Sequence, residues 1–391
     1  MKKILICSLN LKIGGIEKLL VDLINQIPKE EYDITLMLLQ KEGVLLKYIP
    51  KHIKVITPPF KTDMNASLGL KYLIKQKIRQ KNFFTALILF IGLIFNYLLN
   101  WNFVIKKCCF KKQNIKYDYI FNFWGINTLI HIIATELYKS DKYYIWIHDE
   151  KILFKKYGKY YSKYNFIFCV SKELTKKLRK IYKNISDKIM LLCNRIDTKN
   201  ILKLSNDIGF EGDYNGFKIL SVGRLSYIKK GFDIAIKACK ILTDKGYDFK
   251  WYIIGEGKKQ NGAEREYVTN LIKENKLENR FVLLGEKENP YPFFKECDIY
   301  VQSSRAEGYC LTLAEAKLFN KPIVTTAFVG SYEQIKNNKT GIVVDTTPEG
   351  VAAGVQKLLD NKDLREKLSN NLKEENKKPR PNYFDELKKY L

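Results

Sequence analysis

Short apolar runs alternate along the chain with amphipathic stretches of helical length. In the first half the runs predict strands at Ile4–Leu9, Asp33–Leu39, Lys54–Thr57, Tyr117–Phe123, Tyr143–Ile147, Asn165–Val170 and Lys188–Cys193. In the second half they predict strands at Phe217–Val222, Lys250–Ile254, Arg280–Leu284, Asp298–Gln302, Pro322–Thr325 and Gly341–Val344. Continuous apolar strands alternating with helices are typical of parallel sheets covered on both faces. The chain is therefore predicted to be an α/β protein.

The alternation stops at a polar stretch, residues 205–216, and then restarts. Each half is long enough to form a domain of ordinary size. Two Rossmann-like domains in tandem are the expected architecture.

One segment departs from this pattern. Residues 83–105 contain no charged side chain, and basic residues flank them on both sides. The length alone would suit a membrane span, although a span would separate strands of one sheet. An interfacial helix in an insert at about residues 68–112 is favoured, because flanking cations are attracted to anionic lipid. A helix buried in the core and a true span remain as alternatives.

The charge balance changes the list of possible partners. Lys and Arg number 68 against 42 Asp and Glu, a net charge of +26. Such an excess attracts phosphates of nucleic acids, lipid headgroups or small molecules. Eight Cys without a CxxC pair, and three His, favour reduced core cysteines in a cytosolic protein without a metal site.

Three sequence features follow strands of the first half. Gly14 and Gly15 open a helix, where backbone amides could face a phosphate or a sugar, although a plain strand-to-helix turn is equally compatible. His148 ends another strand and could line an acceptor site or be a structural histidine. The Lys- and Tyr-rich stretch 151–164 could meet phosphate or be a solvated helix.

Cations and carboxylates follow two strands of the second half. Gly223 and Arg224 end one strand and are followed by Lys229 and Lys230, of which either could bind a diphosphate. After the strand Asp298–Gln302, Glu307 precedes four residues whose amides open a helix: Gly308, Tyr309, Cys310 and Leu311. Glu315 lies further along that helix. Ligands bind at the carboxyl ends of strands in such sheets, so these residues are a candidate phosphate and sugar site. A solvated basic loop and surface glutamates are the alternatives.

These blocks resemble the retaining glycosyltransferases of family 4, which have the GT-B fold. Glu307 and Glu315 match the family's E-x7-E signature, and Gly223-Arg224 with Lys230-Gly231 is similar to its phosphate clamp. The segment 194–197 resembles its domain-crossing turn, and Gly14-Gly15 its first loop. Cys310 and Arg195 stand where the family often has Gly, and Lys317 where it often has Met.

The resemblance implies domains at 1–196 and 197–363 facing each other across a cleft, with helices in 364–391 returning to the first. It implies metal-independent transfer of a sugar, with retention, from a nucleotide-diphosphate sugar, UDP being the expected nucleotide. Arg224, Lys230 and the helix start at Gly308 would take the leaving charge. Glu307 would hold the donor sugar, and Glu315 would hold the ribose. His148 would line the acceptor side, and Asn194 would line the nucleotide site.

The expected acceptor is a lipid-linked or surface glycan intermediate of bacterial polysaccharide synthesis. The expected location is the inner face of the plasma membrane, as a peripheral protein. A nucleotide-sugar epimerase or another enzyme of this fold is the alternative. A basic nucleic-acid-binding protein is disfavoured, because acidic residues beside the candidate cations would repel a phosphate backbone. No cofactor and no nucleic acid are expected.

Overall fold

We describe the structure from a computed structural model of the chain. The described residues are 1–61, 74–75, 77–99, 106–107, 109–149, 158–212, 214–257, 262–379 and 381–391, without the side chains of 92–99 and 227. They form two compact units, one of Met1–Cys193 with Asn382–Leu391 and one of Asn194–Pro381. The segment 364–391 is thereby divided, since its residues before Asn382 lie in the second unit.

The first unit contains a seven-stranded parallel sheet in the order β3-β2-β1-β4-β5-β6-β7. Its strands are β1 (Lys2–Ser8), β2 (Tyr32–Leu38), β3 (Lys54–Ile56), β4 (Lys116–Asn122), β5 (Lys139–Ile147), β6 (Phe166–Cys169) and β7 (Ile189–Leu191). Its helices are α1 (Gly15–Gln26), α2 (Phe83–Leu99), α3 (Thr128–Ile132), α4 (Gly158–Tyr161) and α5 (Lys172–Ile181). Shorter turns are a π-helix at Ile133–Leu137 and 3₁₀ helices at Val44–Tyr48 and Lys183–Lys188.

The end of the chain completes the first unit. The indole nitrogen of Trp146 donates a hydrogen bond of 2.9 Å to the Tyr383 hydroxyl, and both side chains are fully buried. The Tyr144 hydroxyl donates to the Tyr390 carbonyl at 2.7 Å. Residues 382–391 are therefore part of the core of this unit.

The second unit contains a six-stranded parallel sheet in the order β10-β9-β8-β11-β12-β13. Its strands are β8 (Phe217–Val222), β9 (Phe249–Ile254), β10 (Phe281–Leu283), β11 (Ile299–Gln302), β12 (Ile323–Thr326) and β13 (Ile342–Val344). Its helices are α6 (Thr198–Leu204), α7 (Tyr227–Lys230), α8 (Phe232–Asp244), α9 (Ala263–Glu274), α10 (Tyr291–Glu296), α11 (Leu311–Leu318), α12 (Ser331–Gln334), α13 (Pro348–Asp360) and α14 (Lys362–Asn376), and α15 (Tyr383–Lys388) lies in the first unit.

The predicted fold class is confirmed, since both sheets are parallel and helices separate the strands along the chain. The predicted strands are all present, with β5 beginning earlier than expected. Its first residues are polar and partly exposed. They form a strand because Lys139 and Lys142 pair with residues of β4, and not because apolar side chains are buried there. An apolar pattern cannot show that part of the strand.

Helix α2 coincides with the uncharged segment. Ala86 and Leu89 are buried in the core of the first unit, whereas Phe84 is 75% exposed. Over residues 83–91, whose side chains are described, the helix therefore packs by one face and is not buried all round. Within the described residues, no helix is both long and apolar enough to cross a membrane.

Candidate active site

The site in the second unit lies where the strand order of its sheet reverses. Strand β8 lies between β9 and β11, so the chain leaves the sheet in opposite directions after neighbouring strands. Such a point opens a crevice at the carboxyl ends of the strands, where ligands of open α/β sheets bind. Gly223 follows β8 and Ser303 follows β11, so both candidate loops begin at this crevice.

An ion pair joins the two loops. The Lys230 Nζ lies 2.7 Å from the Glu307 Oε1, with 20% and 11% of the two side chains exposed. Burial lowers the pKa of Lys230, but the Glu307 carboxylate outweighs it and the pKa is raised above 10.5. The lysine is consequently a cation at neutral pH, and it is Lys230 rather than Lys229 whose ammonium meets the glutamate.

Backbone contacts hold these loops in register. Gly231 has φ +63°, and a Cβ there would lie 2.1 Å from the Ser303 carbonyl oxygen. The Ser303 hydroxyl donates to the Lys230 carbonyl at 3.0 Å. Arg305 forms two hydrogen bonds to the Asp233 carboxylate, at 2.8 and 2.6 Å. Only glycine fits at position 231, because both the positive φ and the close approach exclude a side chain.

Behind Glu307 lies a chain of buried polar groups that the sequence did not reveal. The Ser304 hydroxyl donates to the Glu307 Oε1 at 2.7 Å, and the Gln302 amide donates to Ser304 Oγ at 2.7 Å. The Gln302 Oε1 accepts from the Tyr300 hydroxyl at 2.6 Å and from Thr312 Oγ1 at 3.0 Å. One signal was available, since a glutamine ends an otherwise apolar strand.

Helix α11 begins beside this network. Its N-cap, Cys310, makes no side-chain capping bond, and the first turn has no acidic residue. The carboxylate near this positive end of the helix dipole is that of Glu307, whose charge acts on Cys310. Gly308 is buried, and Tyr309 and Leu311 are half-buried. Glu315 is 5% exposed and accepts a hydrogen bond of 3.4 Å from the Tyr291 hydroxyl, so it is not a surface glutamate.

Arg224 and Gly223 lie beside Lys230. Arg224 is exposed. Its positive charge repels that of Lys230 and so has a lowering effect on the pKa of Lys230. The aliphatic part of Lys230 lies over Gly223, where a Cβ would be 3.4 Å from the lysine Cδ. Asn194 is buried, and its Oδ1 has no hydrogen-bond partner within the described part of the chain.

In the first unit, His148 follows β5 at the carboxyl edge of the sheet. Its Nε2 is 2.7 Å from the Phe123 carbonyl oxygen, so Nε2 is the protonated nitrogen of the neutral ring and donates this bond. Burial lowers the pKa of His148 to about 4. The imidazole is neutral at physiological pH, with Nδ1 as its acceptor nitrogen.

Gly14 and Gly15 have a different neighbour from the one expected. A Cβ on Gly14 would lie 2.2 Å from the Oε2 of Glu17, which is buried in the first turn of α1. The carboxylate thus lies at the positive end of its own helix. A phosphate or sugar contact at these glycines stays a prediction. The first half of the stretch 151–164, residues 151–157, lies outside the described residues.

Among the described residues, no cluster of three or more His, Cys, Asp and Glu side chains could hold a metal ion. The candidate site thus consists of two cations, two carboxylates and a helix N-terminus. Together these groups can bind an anion such as a diphosphate and orient hydroxyl groups beside it.

Comparison with known proteins relates this chain to glycosyltransferases. Residues 209–375 match the model of the family described as glycosyl transferases group 1. The resemblance proposed from the sequence is confirmed over these residues.

Curated relatives align over part of the chain. The chain is 30% identical over 204 residues to an N-acetylgalactosamine-N,N'-diacetylbacillosaminyl-diphospho-undecaprenol 4-alpha-N-acetylgalactosaminyltransferase of Campylobacter jejuni, covering 51% of each protein. It is 27% identical over 187 residues to the capsular polysaccharide biosynthesis glycosyltransferase CapM of Staphylococcus aureus, covering 47% of this chain and 45% of that protein. The chain spans about half the length of these relatives.

Solved structures share the fold over nearly the whole chain. A glycosyltransferase from Rickettsia africae has a TM-score of 0.68 at 16% identity, with 95% of this chain and 92% of that one covered. Anabaena Alr3699/HepE in complex with UDP and glucose has a TM-score of 0.67 at 17% identity, with 95% and 94% covered. At these identities the likeness establishes the fold alone.

Proposed function

We propose that the protein is a group 1 glycosyltransferase of bacterial polysaccharide synthesis. It would transfer a sugar from a nucleotide-diphosphate sugar, with UDP as the expected nucleotide, to a lipid-linked or surface-glycan acceptor. The Lys230–Glu307 pair at the strand-order reversal of a family-matched domain is the observation that carries the proposal. Relatives named for diphospho-undecaprenol and capsular polysaccharide chemistry support the acceptor class.

The proposed reaction is a displacement with retention and without a metal. The bond between the sugar C1 and the diphosphate oxygen breaks, the acceptor hydroxyl oxygen bonds to C1 on the same face, and the hydroxyl proton passes to the leaving phosphate. Arg224, Lys230 and the start of α11 stabilise the developing negative charge. Glu307 holds the donor sugar, and Glu315 holds the nucleotide ribose. His148, neutral with Nδ1 as acceptor, belongs to the acceptor side.

The first test is the turnover of Arg224→Ala and Glu307→Gln. A panel of nucleotide sugars is incubated with a polyprenyl-diphosphate glycan acceptor and a chelator, and free nucleotide diphosphate and glycosylated acceptor are measured. Each variant should lose about ten- to a hundredfold in kcat/KM, the equivalent of one charge-assisted hydrogen bond. Arg280→Ala, which removes an exposed pair with Asp248, is the matched control and should keep normal rates.

The outcome separates the alternatives. An epimerised donor without acceptor product would favour an epimerase. Near-normal rates in both site variants would contradict the assignment of the site. Loss of wild-type transfer in the chelator would contradict the metal-independent mechanism.

We also propose that the protein associates peripherally with an anionic membrane, through one face of α2. Phe83, Phe84, Leu87, Phe90 and Ile91 are exposed along this helix, by 63, 75, 55, 49 and 41%. Exposed cations lie before and after the helix in sequence, at Arg79, Lys81, Lys107, Lys111 and Lys112. An apolar face between basic flanks suits an anionic bilayer surface, where the rings enter the headgroup boundary and the cations meet phosphate.

Vesicle sedimentation tests this surface. Phe84→Ser with Leu87→Ser should weaken binding to vesicles of phosphatidylglycerol and phosphatidylcholine by tenfold or more, since burying each such side chain contributes about 1.5–3 kcal/mol. Ile208→Ser, at an 84% exposed position of the second unit, is the control. Unchanged binding of the double variant would refute this surface, and equal binding of the wild type to neutral vesicles would refute the electrostatic part.

A further inference from the structure

The polar chain behind Glu307 has a fixed direction. An ionised carboxylate only accepts hydrogen bonds, so the proton of the Ser304 hydroxyl must point to the Glu307 Oε1. The Ser304 oxygen then accepts from its other neighbour, which requires the NH₂ of the Gln302 amide at 2.7 Å. The Gln302 Oε1 is thereby the oxygen that accepts from Tyr300 and Thr312.

The same reasoning extends the chain to α11. Thr312 gives its single hydroxyl proton to Gln302, so in its contact of 3.3 Å with Cys310 the thiol is the donor. Gln302 is 3% exposed and Ser304 fully buried, so water does not replace these partners. If the Gln302 amide were turned around, Ser304 would donate to the amide oxygen and present a lone pair to the Glu307 carboxylate, which is costly in a buried site.

From this chain we infer that Gln302 is a positioning residue for Glu307, acting through Ser304. Ser304 and Lys230 both donate to Oε1, at 2.7 Å each, which fixes the carboxylate on one side. The other oxygen, Oε2, is left as the acceptor for a donor-sugar hydroxyl. The inference rests on the proposed function, because it assigns Glu307 the sugar.

A double-variant cycle tests the inference in the full-length protein. Ser304→Ala should lower kcat about tenfold to a hundredfold, and Gln302→Met about threefold to tenfold, because the second bond joins neutral groups. In the Ser304→Ala background, Gln302→Met should change kcat less than twofold, since its route to Glu307 is gone. Inhibition by UDP alone should stay within about twofold of wild type throughout, because the chain orients a sugar ligand.

Ser221→Ala is the matched control. Its hydroxyl is buried in the same sheet and bonds to the Val301 carbonyl and the Trp251 indole, not to Glu307. It should leave kcat unchanged. Independent, multiplied effects of Gln302→Met and Ser304→Ala, or equal losses of UDP inhibition and turnover, would indicate a merely structural role and overturn the inference.

A crystal structure of Gln302→Met decides the case independently of turnover. The Ser304 hydroxyl and the Glu307 carboxylate should separate or become disordered relative to their contact in the wild type. A retained contact with an unmoved carboxylate would overturn the inference. Absence of any transfer by the wild type would instead refute the proposed function, while the structural comparison would still decide the positioning role.

Discussion

Replacing Lys230 by methionine removes one half of the ion pair and leaves its shape nearly intact. Glu307 would lose its partner at 2.7 Å while only 11% of its side chain is exposed. Removing one member of a fully buried pair costs about 3–5 kcal/mol, and one hydrogen bond to a charged group about 1.5–3 kcal/mol. Because some water reaches both groups, we expect the free energy of unfolding to fall by about 2–3 kcal/mol.

Urea denaturation without nucleotide measures this loss. Lys377→Met is the control, because its pair with Glu374 is equally short at 2.6 Å but 70% and 69% exposed. Such a surface pair contributes about 0–1 kcal/mol. Lys230→Met with Glu307→Gln should recover about half of the loss, since no uncompensated carboxylate remains.

The pH dependence gives an additional check of the same pair. The pKa of Lys230 is raised in the folded protein, because the Glu307 carboxylate outweighs the lowering effect of burial. The protonated lysine therefore contributes its full stabilisation at pH values below 10.5. This contribution is lost as the pH rises through the raised pKa of the folded protein. The difference between wild type and Lys230→Met should therefore be constant from about pH 6 to 9. Equal stability of Lys230→Met and Lys377→Met would refute the reasoning.

Two further predictions concern stability. Burial lowers the pKa of His131 from 6.5 to about 3. Between pH 6.5 and about 3 this histidine is therefore protonated in the unfolded chain but neutral in the folded protein. Stability should fall on acidification below pH 6.5, by at most about 5 kcal/mol, and the fall should be shallower in His131→Gln; parallel urea curves from pH 7.5 to 4.5 would contradict this. Gly231→Ala should unfold at lower urea than Gly246→Ala, which also has a positive φ but meets nothing within 4 Å. The control should lose about 1–2 kcal/mol, and equal losses would exclude the predicted clash with Ser303.

The fold could be predicted from the sequence because its signal is local. Each core strand is a short apolar run, and parallel strands buried on both faces need no partner to be recognised. Glu307, Glu315, Arg224 and the two lysines were candidates for a related reason, since they lie in the loops or helix starts that follow such strands. Their roles in catalysis and binding remain predictions.

Several features depend on contacts between distant segments and could not be predicted. Lys230 and Glu307 are 77 positions apart, and the choice between Lys229 and Lys230 depends on a rotation of about 100° between neighbours on a helical turn. Glu17 lies over Gly14 only because α1 begins there. Only packing shows which side of α2 stays exposed.

The sequence by itself determined the strands, the fold class and the residue types near the crevice, because hydrophobic burial and strand ends follow local order along the chain. The tertiary structure decided the pairing of Lys230 with Glu307 and the support of Glu307 by Ser304 and Gln302. Hydrogen bonds and ion pairs need atoms within about 3 Å, and that precision arises only once both loops are anchored to one sheet.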